Sequence, residues 1–119
     1  MEGPRILIVG EKGINLDDIV GGLWTAGYRV LTVVNLMEAA TQPRGDVAPD
    51  LILMDVAAGA ALENLQVAEK LRGDFDVPFL YLADAADALL LQHAGIIAPA
   101  GYLLKPVQVR ELCAAIESV

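Results

Sequence analysis

The sequence predicts a doubly wound α/β domain in which helices cover both faces of a five-stranded parallel sheet. Short apolar runs alternate with longer amphipathic segments, which is the pattern of strands joined by crossover helices. The clearest run, 51–54, is opened by Pro49-Asp50 and closed by Asp55. An uninterrupted apolar strand is typical of a parallel sheet that is buried on both faces. The 119 residues, 55% of them hydrophobic, fit one such domain over 1–119.

Each predicted strand ends in turn-forming or charged residues. The predicted strands cover 5–9, 28–34, 49–55, 77–82 and 101–104. Apolar residues at helical spacing predict helices after residue 15, over 36–40, around 62–71, over about 85–94 and around 109–116. In the third helix, the expected inner face is Leu62, Leu65, Ala68 and Leu71. The connections are too short for anything but right-handed crossovers, and the pattern alone leaves the strand order open.

Composition excludes several classes of function. Sixteen acidic residues against eight basic ones give a net charge of −8, which argues against a nucleic-acid surface. No apolar run approaches the length of a membrane span, and the first residues lack the pattern of a signal peptide. The single cysteine, Cys113, suits a reducing compartment. We therefore expect a cytoplasmic domain that binds neither nucleic acid nor membrane.

Charged residues follow several of the predicted strands. Glu11 follows the first strand, Asp55 ends the third, Asp84 follows the fourth and Lys105 follows the fifth. The carboxyl ends of parallel strands meet at the edge where such folds bind ligands. Two carboxylates there could hold Mg²⁺, and Lys105 could neutralise a phosphoryl oxygen. Solvated charges at loop ends are the simpler alternative, but their origin from three or more strand ends favours a site.

The succession of these motifs resembles the receiver domain of two-component response regulators. The segments that carry the resemblance are 6–9, 49–55, 77–80 and Gly-Tyr-Leu-Leu-Lys-Pro at 101–106. It implies a flavodoxin-like fold with strand order 2-1-3-4-5 and a cis bond before Pro106. It also implies that Asp55 accepts a phosphoryl group from a histidine kinase, with Lys105 as its charge partner. The domain would then be a phosphoryl acceptor and not an enzyme.

The resemblance further implies a Mg²⁺ ion held by Glu11, Asp55 and the main-chain carbonyl of Ala57. Receivers usually place two acids after the first strand, whereas this chain has Gly10 followed by Glu11. Loss of one carboxylate removes a negative charge from the site. We therefore expect weak Mg²⁺ binding.

The switch positions of the family are also altered. The aromatic switch is Tyr102, but the hydroxyl residue that ends the fourth strand in the family is replaced by Ala83. Alanine has no donor, so Tyr102 is expected not to respond to the state of Asp55. The next residue, Asp84, adds negative charge near the phosphoryl position, and the loop over 56–64 lacks the usual family residues.

An interaction face is expected on the fourth helix, fifth strand and fifth helix. Leu89, Leu90 and Leu91 are consecutive and successive helical residues point about 100° apart, so at least one should face outward. Receivers commonly use this face for an output domain or protein, or for a homodimer. Two alternatives stay open: a pseudo-receiver that docks proteins without phosphorylation, and a small nucleotide- or flavin-binding domain, which a partial glycine-rich turn at 10–13 would serve.

Overall fold

The computed structural model describes residues 4–11, 14–41, 48–93 and 101–118. The strands are β1 (Arg5–Val9), β2 (Arg29–Val34), β3 (Leu51–Asp55), β4 (Phe79–Ala83) and β5 (Tyr102–Leu104). The helices are α1 (Ile14–Thr25), α2 (Leu36–Thr41), α3 (Ala61–Asp74), α4 (Ala85–His93) and α5 (Val109–Glu117). The predicted alternation of strands and helices is confirmed. Lys12 and Gly13 of the glycine-rich turn and the predicted end of the fourth helix at Ala94 lie outside the described residues.

The sheet is parallel, and its strand order is β2-β1-β3-β4-β5. β1 and β3 pair in register from Ile6 opposite Leu51 to Val9 opposite Met54. β3 and β4 pair from Ile52 to Asp55, which lies opposite Leu82. The flavodoxin-like order is therefore confirmed, and the change of direction between β1 and β3 is the switch point at which such sheets bind ligands.

Alternate side chains of the central strands enter two separate cores, which explains why the strands are apolar without interruption. One core joins the sheet to α1 and α5, and its strand residues are Ile6, Ile8, Leu51, Leu53, Leu80 and Leu82. The other joins the sheet to α2, α3 and α4, and its strand residues are Leu7, Val9, Ile52, Met54, Phe79, Tyr81 and Ala83. The predicted helices on both faces are confirmed.

Strand starts and one residue of a helix face are wrong in the sequence analysis. β2, β3 and β5 begin one or two residues later than predicted. β4 begins at Phe79 instead of 77 and continues through Ala83, since Pro78 has no N–H for the ladder; its carbonyl accepts the Ile52 N–H at 3.0 Å. Leu62 is 63% exposed, because the buried side of α3 begins with Ala61 and continues through Leu65. Among the described residues, no helix is long and apolar enough to cross a membrane.

Candidate functional site

An acid–lysine pair lies at the carboxyl edge of the sheet. Lys105 Nζ lies 2.6 Å from Asp55 Oδ1, and the two side chains are 32% and 14% exposed. The ammonium group also donates to the carbonyl oxygen of Val56 at 2.7 Å. The backbone N–H of Lys105 donates to the carbonyl of Ala83 at 2.9 Å, which attaches the lysine to the end of β4. The bond between Lys105 and Pro106 is cis, as expected.

A cavity of about 370 Å³ opens beside this pair, on the side of the sheet covered by α1 and α5. Its lining combines the charged pair with apolar side chains and one further acid, and comprises Asp18, Ile19, Asp55, Leu82, Lys105, Pro106, Val107 and Val109. Apolar walls around a few convergent charges are typical of a small-ligand site. The cavity is large enough for a ligand group to reach Asp55.

Gly10 packs directly against Asp55. A Cβ atom added at Gly10 would lie 2.8 Å from Asp55 Cβ and 3.4 Å from Asp55 Oδ2. Gly10 is buried, and its N–H donates to the carbonyl of Val34 at 2.8 Å, so its position is fixed within the sheet. Any side chain at position 10 would therefore require Asp55 or the adjoining backbone to shift.

The oxygen donors expected to bind Mg²⁺ come from Glu11, Asp55 and Ala57. The described residues include no group of three His, Cys, Asp or Glu side chains arranged to hold a metal. Mg²⁺ nevertheless accepts one or two carboxylates and completes its octahedron with water and phosphate oxygens. The Ala57 carbonyl accepts the Ala60 N–H at 2.9 Å and retains a second lone pair. Two carboxylates and a carbonyl therefore suit the ion chemically.

Ala83 and Tyr102 occupy the two positions expected to act as a switch, and Ala83 has no hydroxyl group. Ala83 is 0% exposed within the core beneath α3 and α4. Tyr102 is partly buried, and its hydroxyl accepts a hydrogen bond from Gln92 Nε2 of α4. Tyr102 is therefore attached to α4. The expected indifference of Tyr102 to Asp55 stays a prediction.

Asp84 caps α4 and faces the lysine. Its Oδ1 accepts the backbone N–H of Asp87 at 2.9 Å, which is the bond that an N-cap acid makes. That hydrogen bond is the main cause that lowers the pKa of Asp84, and the charge of Lys105 acts in the same direction. Lys105 therefore forms an ion pair with Asp55 on β3 and interacts electrostatically with Asp84 after β4.

The sequence analysis missed Asp87. Its side chain is 2% exposed, and its Oδ2 accepts the backbone N–H of Gly59 at 3.1 Å. Gly59 lies in the loop that follows Asp55. The available signal was the Asp-x-x-Asp spacing of 84 and 87, which matches the positions of a capping box, although nothing in that spacing indicates a second loop.

Two of the three consecutive leucines face outward. Leu89 and Leu90 are 56% and 50% exposed, whereas Leu91 is fully buried. Leu104 of the edge strand β5 is 51% exposed. The expectation of at least one outward leucine on α4 is confirmed.

The fold and this edge define a class: a flavodoxin-like α/β domain with an acid–lysine pair at the switch point of its sheet. No protein-family model matches the chain. The chain is 31% identical to the signal receiver domain of a modulated diguanylate cyclase from Desulfovibrio desulfuricans G20, with a TM-score of 0.80; the match covers 97% of this chain and 91% of that one. The chain therefore belongs to the receiver domain family of response regulators.

A curated relative agrees with this assignment, and a further solved structure supports the fold. The transcriptional regulatory protein PrrA of Mycobacterium leprae is 32% identical over a 124-residue alignment that covers 100% of this chain and 51% of that protein. The chain thus spans about half the length of this curated relative. A CheY-like response regulator from Mesorhizobium loti has a TM-score of 0.75 at 17% identity, covers 97% of both chains, and supports the fold alone.

Proposed function

We propose that this receiver domain accepts a phosphoryl group on Asp55 from the phosphohistidine of a histidine kinase. The observation that carries the proposal is the pairing of Asp55 with Lys105 at the rim of a cavity open to a ligand. A carboxylate serves as the nucleophile, and a positioned cation stabilises the charge that develops on the phosphoryl oxygens. The domain acts as the acceptor, and its proposed location is the cytoplasm.

In the proposed reaction, a carboxylate oxygen of Asp55 attacks phosphorus while the phosphorus–nitrogen bond of the phosphohistidine breaks. The electron pair of that bond leaves with the imidazole, which takes up a proton. Lys105 loses its contact with Asp55 Oδ1 and pairs with a phosphoryl oxygen, while it keeps its hydrogen bond to the Val56 carbonyl. Mg²⁺, when bound, supplies further neutralisation of phosphoryl charge.

Labelling with a phosphodonor and Mg²⁺ tests the proposal. Intact-mass measurement should detect one added phosphoryl group on the wild type and none on Asp55→Asn. Asp50→Asn is the matched control, because Asp50 lies at the opposite end of the same strand, where its carboxylate accepts the Arg5 N–H at 2.8 Å. A wild type that stays unlabelled with both a small phosphodonor and a phosphorylated kinase would contradict the proposal and favour the docking-module alternative.

We also propose that Mg²⁺ binds weakly through Glu11, Asp55 and the Ala57 carbonyl. The close approach of Gly10 to Asp55 supports this, because a second acid at position 10 would require Asp55 to shift. Calorimetric titration should give a lower affinity than a receiver with two acids, and Glu11→Gln should weaken binding further. An affinity equal to that of a two-acid receiver would contradict this proposal.

The proposed partner surface consists of α4, β5 and α5. Leu89, Leu90 and Leu104 are each half exposed on it. An output domain, a target protein or a second copy of the chain would bury these leucines and gain hydrophobic free energy. Tyr102 belongs to β5, and its hydroxyl accepts a hydrogen bond from Gln92 of α4.

A further inference from the structure

Two polar side chains buried in the described core, Asn64 and Asp87, form hydrogen bonds with the same loop. Asn64 is 0% exposed and Asp87 is 2% exposed. Asn64 Nδ2 donates to the carbonyl of Ala60 at 2.9 Å, and Asp87 Oδ2 accepts the N–H of Gly59 at 3.1 Å. Burying polar side chains is costly unless they form hydrogen bonds. Both therefore direct their hydrogen bonds to the loop over 56–60, which we call the acceptor loop.

The position of Asp87 makes its contact unusual. Asp87 is the third residue of α4, and its N–H donates to the cap residue Asp84. In a capping box, the side chain at this position returns to the backbone of the cap residue. Here the carboxylate contacts Gly59 on another element instead. Gly59 has a φ of +79°, which glycine adopts readily, so the turn needs glycine at this point.

The other end of the acceptor loop contacts the acid–lysine pair. The Val56 carbonyl accepts a hydrogen bond from Lys105 Nζ at 2.7 Å, and the Val56 N–H donates to the carbonyl of Leu82 at 2.8 Å. Ala57 supplies the carbonyl of the proposed metal site. The loop thus bonds Lys105 through its Val56 carbonyl and Asp87 through its Gly59 N–H, three residues apart in the chain.

We propose that Asp87 is a positioning residue that couples the acceptor loop to α4, in place of the hydroxyl that Ala83 lacks. This inference rests on the proposed function. When Lys105 turns from Asp55 to a phosphoryl group, its bond to Val56 shifts the acceptor loop. The bond between Gly59 and Asp87 passes that shift to the first turn of α4, the helix that carries the outward leucines.

Hydrogen exchange of the Gly59 amide tests the link in the unmodified protein. In Asp87→Ala the amide should exchange about tenfold faster or more, because it loses a hydrogen bond to a charged acceptor. Asp87→Asn should show a smaller increase, since its amide oxygen still accepts. Asp17→Ala, which removes an exposed acid from the first turn of α1, should leave Gly59 unchanged. Equal exchange in the wild type and in Asp87→Ala would overturn the inference.

Amide NMR shifts with beryllium fluoride and Mg²⁺ test the coupling. In the wild type, Val56, Gly59 and the amides over 89–91 should all shift. In Asp87→Ala and Asp87→Asn, Val56 should still shift, while most of the α4 response should be lost in the former and part of it in the latter. Full α4 shifts in both variants would overturn the coupling and leave the proposed function intact. If the Val56 amide of the wild type does not shift, the result would contradict the proposed function and, with it, the coupling that rests on that function.

Discussion

The two halves of the carboxyl edge are built differently. Around β3 and β5, Asp55 and Lys105 form a close ion pair that contacts the backbone of the next loop. Around β1 and β4, the corresponding positions are Gly10 and Ala83, both buried and without polar side chains. The first half holds the groups that the proposed phosphoryl transfer requires. The second half keeps Glu11 but lacks the family's polar groups at Gly10 and Ala83, and the hydrogen bonds toward α4 are made by Asp84 and Asp87.

Under the proposed function, the two tasks of this domain depend on separate contacts. Accepting a phosphoryl group needs a nucleophile and a cation within contact distance, and these come from β3 and β5. Transmitting that event needs a link from the loop to α4. In this chain the contact to α4 is made by a buried carboxylate on the helix itself.

The largest effect should come from removing the charge of Lys105, in the half of the edge around β3 and β5. Lys105→Met should slow labelling of Asp55 at least about tenfold, because a hydrogen bond between charged groups contributes about 1.5–3 kcal/mol. The rate of phosphoryl incorporation, followed by intact mass, measures this. Lys70→Met is the matched control, since Lys70 Nζ also donates to a backbone carbonyl, that of Ala39 at 3.1 Å. Equal rates for Lys105→Met and the wild type would show that the ion pair is structural only.

A side chain at Gly10, in the half of the edge around β1 and β4, should destabilise the fold. Gly10→Ala places a methyl group 2.8 Å from Asp55 Cβ, and overpacking of this kind costs about 1–3 kcal/mol. Gly10→Asp should do the same and should not raise the Mg²⁺ affinity, since Asp55 must move. Urea unfolding measures the stability of both variants.

The control for Gly10 is Gly21→Ala. Gly21 is exposed within α1, and a Cβ there would meet nothing within 4 Å. This substitution should stabilise the protein by about 0.5–1 kcal/mol through helix propensity. A Gly10→Asp variant that is as stable as the wild type and binds Mg²⁺ more tightly would remove the steric explanation for the missing acid.

The outward leucines of α4 should matter for association and not for folding. Leu89→Glu and Leu90→Glu should change the free energy of unfolding by no more than about 0.5 kcal/mol, because both side chains are half exposed. The buried control Leu91→Ala should lose about 2–5 kcal/mol. Light scattering should show that the glutamate variants lose any wild-type dimer or complex. A partner that binds both variants as tightly as the wild type would place its contact elsewhere.

The smallest effect should be the pH dependence that comes from Asp84. Its pKa is lowered in the folded state, mainly by the Asp87 N–H. The resulting stabilisation is present above the unfolded pKa of about 4 and disappears as the pH falls through the lower folded pKa. Asp84→Asn keeps a capping oxygen but does not titrate. It should therefore lose less stability than the wild type between about pH 5 and about pH 3, as measured by urea midpoints; equal losses would assign the dependence to other acids.

The sequence by itself determined the layers of the fold and the half of the site that contains Asp55 and Lys105. Apolar runs such as 51–54 predict strands that are buried on both faces, and a charged residue at the end of such a strand must lie at the carboxyl edge. Asp55 and Lys105 were identifiable for that reason, since backbone periodicity and strand direction fix where they lie. The strand order came from the family resemblance, because periodicity does not specify which strands pair.

Only the tertiary structure decided how Gly10 and Asp87 are used. The sequence identifies Gly10 as a missing acid, but the distance to Asp55 shows a backbone approach that excludes a side chain. Asp87 looks like an ordinary acid in the first turn of a helix, yet it is buried and bonded to Gly59, 28 residues away. Local periodicity specifies which face a residue occupies along its own element. Contacts between elements depend on how helix and loop pack across the sheet, and that packing is set by the whole core at once.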